Sequence, residues 1–174
     1  MSLMKWERVR DIHSQAADAL ASTAESIPSE AWLAPIGEKK WSPAQIVEHL
    51  NCAYDVLTRE LEGGQGMVVQ TTIWQRILLR IFLVPKLLRG GAFPRNARAP
   101  REIRPATANP DQRQAVADFR ARAARFDAAA TEADARGAEL THAYFGHAPV
   151  AEGALLCARH VQHHQKQLAA LGKV

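Results

Sequence analysis

Apolar side chains recur every three or four residues in four separate stretches of the chain. This spacing is typical of helices that bury one side against a core, whereas the alternation that marks strands is nearly absent. The first stretch predicts a helix over about residues 5–27, which Pro28 ends. We therefore expect an all-α protein built from four long helices.

The start of the second helix is marked by a local signal. Ser42 is a favourable N-cap, Pro43 suits the first turn, and Gln45 stands where the partner residue of a capping box is needed. The apolar pattern then continues until Gly63 and Gly64 end it. This predicts a helix of about five turns.

The third and fourth helices are predicted at about residues 109–135 and 149–171. Asn109, Pro110 and Gln112 repeat the order of cap, proline and glutamine at the start of the third helix. Four helices of this kind predict a four-helix bundle.

The connection between the second and third helices, residues 63–108, is far longer than the other two connections. Antiparallel neighbours need only a short loop, so a long crossover predicts that these two helices run in the same direction. The expected architecture is a single domain over residues 1–174, with up-down-down-up order and residues 63–108 as the crossover segment.

Composition narrows the class of protein only a little. The chain carries 22 basic and 18 acidic residues, and this mild excess specifies no partner. Its two cysteines do not make a disulfide framework, its N-terminus has no signal-peptide pattern, and no apolar run is long enough to span a membrane. We expect a cytoplasmic protein that acts on a small molecule.

The positive charge is concentrated in the crossover, where residues 76–104 contain eight Lys or Arg and one acidic residue, Glu102. The stretch Ile73–Val84 is also strongly apolar. It is interpreted as a helix that covers one end of the bundle and lines a cleft, as a homodimer interface, or as a membrane-surface helix. The membrane-surface helix is the least favoured of the three, and we expect no nucleic acid as a partner, because the charges follow no recognised motif. The arginines that are candidates for attracting an anionic substrate are Arg95, Arg98, Arg101 and Arg104.

His160 and His164 are four residues apart, which places both rings on one face of the fourth helix. Imidazole is a common ligand of zinc and nickel, and such a pair needs only a third ligand, for which His49 on the second helix is the candidate. Three neutral imidazoles would leave an open position where a water or thiol loses its proton near neutral pH. The alternative is a set of partly buried histidines whose ring nitrogens are hydrogen-bonded.

Two cysteines lie close to these histidines in sequence. Cys52 follows His49 by three residues, and Cys157 precedes His160 by three. If the second and fourth helices are antiparallel, both cysteines fall in one layer beside the histidines. They are interpreted either as small buried hydrophobic residues or as part of a mixed His and Cys site.

Three other residues are candidates for positions near the site. His13 either faces a cavity or is a hydrogen-bonded histidine at the edge of the core. His163 is expected to point away from the metal, and Gln167 to hydrogen-bond near it.

The chain resembles the DinB-like superfamily, a set of bacterial four-helix metalloproteins. The segments that carry the resemblance are Trp41–Leu50, His142–Gly146 and His160–Leu168. The resemblance implies an up-down-down-up bundle with His49, His160 and His164 as metal ligands, and zinc or nickel as the occupant.

The resemblance also implies a chemistry. Characterised relatives are thiol-dependent enzymes, namely bacillithiol and mycothiol S-transferases and a maleylpyruvate isomerase that uses a low-molecular-weight thiol. This chain is thus expected to be a thiol-linked transferase or a related hydrolase whose metal activates a thiol or water. The alternative is a metal-binding bundle without chemistry, whose crossover docks a partner. Ala143 follows His142 where the family usually has proline, so a different turn is expected there.

Overall fold

The computed structural model describes residues 5–94, 98–106 and 110–171. The described chain is mostly helical, and four long helices occupy the stretches that the apolar periodicity marks. In chain order the elements are α1 (Trp6–Glu25), α2 (Ser29–Trp32), α3 (Pro43–Leu61), α4 (Ile73–Leu78), a π-helical turn (Leu79–Leu83), α5 (Val84–Leu88), a 3-10 turn (Arg101–Ile103), α6 (Gln112–Ala135), β1 (Glu139–His142), β2 (Gly146–Pro149) and α7 (Val150–Ala169).

The start of α3 confirms the capping box. The Ser42 hydroxyl accepts a hydrogen bond from the backbone N–H of Gln45, and the Gln45 side chain accepts one from the backbone N–H of Ser42. Both bonds satisfy donors that a helix N-terminus leaves without a partner. This local chemistry fixes where the helix that carries His49 begins.

The predicted start of α6 is wrong by two residues. Asp111 is the N-cap and accepts a hydrogen bond from the backbone N–H of Gln114, so the helix begins at Gln112. Aspartate is as good an N-cap as asparagine. Asn109 itself lies outside the described residues.

A hairpin that the sequence did not predict precedes α7. Strands β1 and β2 pair antiparallel, with Glu139 opposite Pro149 and His142 opposite Gly146. Gly146 has a φ of 71°, which glycine adopts without strain. The expectation of an all-α chain is wrong here, because strands of four residues are too short to show an alternating pattern.

The core lies where the long helices meet, with α1 packed against α6 and α7, and α3 against α6. Burial of each large apolar side chain there contributes about 1.5–3 kcal/mol. The largest members, each at most 2% exposed, are Val9, Leu20, Ile46, Val47, Leu50, Tyr54, Val116, Phe119, Phe126 and Leu168. No described helix is long and apolar enough to cross a membrane.

The crossover helices cover the hairpin on one side only. Val84 and Leu87 are buried against Phe145 and Leu156. Arg80 reaches across to donate hydrogen bonds to the carbonyl of His147 and to the carboxylate of Glu152, among others. The expected cover of the bundle is thus present, but no residue of α4 or α5 lines the cavity described below.

Candidate metal centre

Helices α3 and α7 bring the three predicted histidines together. Nε2 of His160 lies 3.2 Å from Nε2 of His49 and 3.0 Å from Nε2 of His164. Zinc–nitrogen bonds of about 2.0–2.1 Å in a tetrahedral site put the ligand nitrogens about 3.3–3.4 Å apart. The three atoms are therefore spaced closely enough to share one divalent ion.

Two of the rings are oriented by partners on their other nitrogen. Nδ1 of His49 lies 2.6 Å from the carbonyl oxygen of Ile103, and Nδ1 of His164 lies 2.8 Å from Oε1 of Gln167. Both partners are acceptors, so each Nδ1 carries the proton and each Nε2 offers a lone pair. Partners of this kind hold metal-binding histidines in the correct tautomer.

Burial keeps these rings neutral. Loss of solvent lowers the pKa of His49 to about 4, although its bond to Ile103 acts in the opposite direction. Burial, then the neighbouring His49, lowers the pKa of His164 to about 3. The pKa of His160 is well below its usual value for the same reasons. At neutral pH the site thus presents uncharged nitrogen atoms, the form that binds metals.

Three uncharged ring nitrogens this close together are stable only if a proton or a cation lies between them. Lone pairs that face one another at about 3 Å repel unless a proton or a cation is shared. A proton on Nε2 of His160 satisfies the cluster in one way, and a divalent ion bound by all three lone pairs satisfies it in another. The donor set fits zinc or nickel, both of which imidazole binds well.

The cluster opens onto a cavity of about 840 Å³. Residues of α3, α7, the hairpin and the segments 93–94 and 98–104 line it. Aromatic rings form part of the wall, contributed by Trp41, Phe93, Tyr144 and Phe145. A small molecule in this cavity therefore reaches the three histidines.

The family model of the DinB superfamily matches residues 12–168. The chain belongs to the DinB superfamily. The match runs from within α1 to the last turn of α7 and includes all three histidines. No curated protein and no solved structure matches the chain.

Neither cysteine of this DinB-superfamily chain joins the histidine cluster. Cys52 is half-buried with Sγ 3.8 Å from the Glu48 carboxylate, and burial, then the negative charge of Glu48, raises its pKa to about 11. Cys157 lines the cavity beside Tyr54, and burial raises its pKa to about 12. Because neither thiol lies within the ligand cluster of the described residues, the structure does not support a mixed His and Cys site.

His13 is a core histidine rather than a cavity residue. It is fully buried, with Nε2 2.8 Å from the Tyr54 hydroxyl. Nδ1 lies 2.8 Å from the Asp127 carboxylate, although the two atoms are not aligned as a hydrogen bond. Both ring nitrogens therefore face protein groups within α1, α3 and α6.

His163 stays outside the histidine cluster, as expected, and lies next to a partner of one of its members. His163 lines the cavity, packs against Phe93 with ring centroids 5.2 Å apart, and places Nε2 3.2 Å from Nε2 of Gln167. Gln167 in turn binds His164, as expected from its position one turn further along α7. His163 thus lies beside a residue that orients a candidate ligand.

The hairpin contributes residues to the cavity wall that sequence analysis did not place at the site. His142 stacks on Phe145 with ring centroids 4.2 Å apart, and its Nδ1 accepts a hydrogen bond from the backbone N–H of Tyr144. Burial lowers the pKa of His142 to about 4. The sequence signal was the segment His142–Gly146, one of the three that carry the family resemblance. This bond closes the turn that contains Ala143.

Proposed function

We propose that this protein is a divalent-metal-dependent enzyme that joins a small thiol to an electrophilic substrate. His49, His160 and His164 hold the metal, zinc or nickel. One observation carries the proposal. Nε2 of His160 lies 3.2 Å from Nε2 of His49 and 3.0 Å from Nε2 of His164, and this cluster forms part of the wall of a cavity of about 840 Å³.

The metal, when bound, supplies Lewis acidity that lowers the pKa of a thiol or water in the open position. The residues of the chain do the rest. Ile103 and Gln167 orient the rings of His49 and His164, and the aromatic wall excludes water from the reacting groups. No side chain near the cluster has to serve as a permanent base.

The size of the cavity favours transfer over hydrolysis. Small-molecule sites commonly measure about 300–1,000 Å³, and this cavity is in the upper part of that range. A transferase must hold a thiol and an electrophile together, whereas a hydrolase holds one substrate and a water. Space for two co-substrates therefore supports the transferase.

The site also depends on the proposed up-down-down-up order of the long helices. Contacts between α1 and α6 join the start of each helix to the end of the other, which supports an antiparallel pair. In α3 and α6, Asn51 contacts Ala115 and Glu62 contacts Arg125, so contacts advance together along both helices. That advance supports a parallel pair joined by the long crossover.

The decisive test is the metal content of the purified protein and of single variants. We expect about one zinc or nickel per chain, lost in His49→Ala, His160→Ala and His164→Ala because each removes a ligand. His163→Ala is the matched control, since this histidine lines the same cavity outside the cluster. Stoichiometric metal in His160→Ala would show that the ligand set is wrong.

Catalysis is tested separately on protein of known metal content. Conjugation of cysteine or glutathione to monochlorobimane is followed by fluorescence with metal-loaded and EDTA-treated protein. We expect metal-loaded wild type to conjugate the thiol faster than EDTA-treated wild type. Metal-loaded His163→Ala should not be faster than metal-loaded wild type. Equal rates for both forms with both thiols would contradict the transferase.

A second candidate function is favoured by one observation, the exposed face of the crossover helices. Six large apolar side chains there are 42–77% exposed, a stripe that a monomer rarely leaves open. The members of this apolar stripe are Ile73, Trp74, Ile77, Leu78, Ile81 and Phe82. A stripe of this kind pairs with its own copy across a two-fold axis, which supports a homodimer.

The molar mass in solution tests the homodimer. We expect light scattering to give the mass of two chains, and the double variant Trp74→Glu/Phe82→Glu to give that of one, with an unchanged circular dichroism spectrum. Leu33→Glu is the control, because Leu33 is 48% exposed outside the stripe. A monomeric wild type would refute this function, and binding to anionic vesicles would identify a different partner.

A further inference from the structure

The opening of the cavity is strongly basic. Four cationic side chains line it, Lys39 and Lys40 before α3 and Arg98 and Arg104 around the 3-10 turn. Among the described lining residues there is no Asp or Glu. All four cations are exposed, so they stand where a ligand enters rather than deep in the wall.

Most carboxylates on the surrounding elements are engaged elsewhere, whereas Glu102 lies close enough to Arg104 for that positive charge to help lower the Glu102 pKa. Glu48 contacts Cys52, Glu60 accepts hydrogen bonds from Thr141, Glu102 accepts one from the backbone N–H of Val68, and Glu152 pairs with Arg80. Glu38 lies 3.9 Å from Lys39, but both side chains are 89% exposed, a contact that solvent screens. Among the described residues, Lys40, Arg98 and Arg104 thus form no ion pair at contact distance, so their N–H donors remain available to a ligand.

The protein anchors both arginines beside the cavity, Arg98 through its backbone and Arg104 through its guanidinium group. The Tyr144 hydroxyl, itself on the cavity wall, donates a hydrogen bond to the carbonyl of Arg98 at 2.6 Å. Arg104 uses Nε to bind the carbonyl of Ala99 at 3.0 Å, which leaves its terminal N–H groups free of that bond. The two terminal N–H groups of Arg104 form a fork that suits the two oxygens of a carboxylate, sulfonate or phosphate.

The rest of the cavity wall is suited to an apolar part of a ligand. Trp41, Phe93, Tyr144 and Phe145 present rings to the same space. Aromatic walls bind flat or apolar groups through area burial and stacking. One ligand that satisfies both parts carries an anionic group at one end and an apolar or aromatic body at the other.

We propose that the cavity binds an amphipathic anion as its substrate, with Arg98 and Arg104 as the residues that select the anionic group. The inference rests on the proposed function only in taking this cavity as the substrate site. Lys39 and Lys40 add to the attraction at the opening, because like charges around a cleft concentrate counter-ions there. The ligand's apolar body then lies against the aromatic wall near the histidines.

A pair of isosteric probes tests the charge selection on EDTA-treated protein. We expect 2-naphthoate to bind at least about tenfold more tightly than 2-naphthamide, since hydrogen bonds to charged groups are the stronger class. In Arg98→Gln/Arg104→Gln the affinity for naphthoate falls to near that for naphthamide, and the affinity for naphthamide stays unchanged. Calorimetric titration measures all four values.

Arg101→Gln is the matched control, because Arg101 is exposed in the same segment but does not line the cavity. It should keep the wild-type preference. The proposal is overturned by equal affinities for the two probes, by no naphthoate binding at millimolar concentration, by a preference that survives the double substitution, or by one that Arg101→Gln removes equally. Metal content is measured on separate samples, so loss of the metal site and loss of the anion site are told apart.

Discussion

The molecule buries histidines in two places, and the two places differ in what the ring nitrogens face. His13, in the core, has Tyr54 at one nitrogen and Asp127 at the other. His49 and His164 also have protein acceptors at Nδ1, but their Nε2 atoms turn toward His160 and the cavity. Burial alone thus does not mark a metal site. Unused nitrogen lone pairs that converge on a cavity do.

The largest expected effect belongs to the core. We expect His13→Ala to lower the free energy of unfolding by about 3–5 kcal/mol, because it leaves a cavity in the core and removes the hydrogen-bond partner of the Tyr54 hydroxyl. Metal content should not change. Urea unfolding of the metal-free protein measures the loss, with His163→Ala as a control of small effect. A loss of metal in His13→Ala with the fold intact would contradict the assignment of His13 to the core rather than to the metal site.

Acid should act on the histidine cluster. Unfolded histidines take up protons near pH 6.5, whereas folded His49 and His164 do so only near about 4 and about 3. Between these values the unfolded state binds more protons, so the free energy of unfolding falls as the pH falls. For His49 alone the full loss is on the order of 3 kcal/mol.

Urea unfolding of EDTA-treated protein at pH 7.0, 6.0 and 5.0 checks the sign, in a window where most carboxylates do not yet titrate. The slope should be smaller in His49→Ala, which removes one of the titrating rings. Stability that is flat across this window would show that the folded rings accept protons as readily as the unfolded ones.

Metal should stabilise only through the cluster. With free metal at about 100 times the dissociation constant, binding to the folded state adds about 2.7 kcal/mol. We expect this increment in wild type and in His13→Ala, and none in His164→Ala. Thermal melts with and without zinc measure it. A zinc-dependent increase that persists in His164→Ala would place the metal elsewhere.

The parts of the structure that the sequence predicted are those with local causes. The capping box of Ser42 and Gln45 is made within four residues, so the start of α3 follows from sequence. The spacing of His160 and His164 puts them on one helix face in any fold that keeps α7 helical. That local rule, with His49 on a capped helix, was enough to name the cluster before its geometry was known.

The parts that were missed depend on contacts between distant segments. The partner of His49 is a backbone carbonyl, that of Ile103, which any residue type would supply. The hairpin is held by pairing of two short strands and by the stacking of His142 on Phe145. The apolar stretch of the crossover covers the hairpin with one face, as expected, but Trp74 and Phe82 on its other face are 77% and 73% exposed. No residue-level pattern distinguishes such a stripe from a covered one.

The smallest expected effect concerns the residue that orients His164. Removal of its partner in Gln167→Ala should weaken metal binding by about 10–100-fold without abolishing it, because the ring can rotate or change tautomer but still offers a nitrogen. Gln165→Ala is the control, since Gln165 donates its hydrogen bond to Thr23 on α1. Competition with a chelator of known affinity measures both variants.

An equal loss in the two would mean that general weakening of α7, and not the orientation of His164, sets the affinity. A loss confined to Gln167→Ala would show that the cluster differs from His13 in function and not only in geometry, because an oriented lone pair matters only where something binds to it.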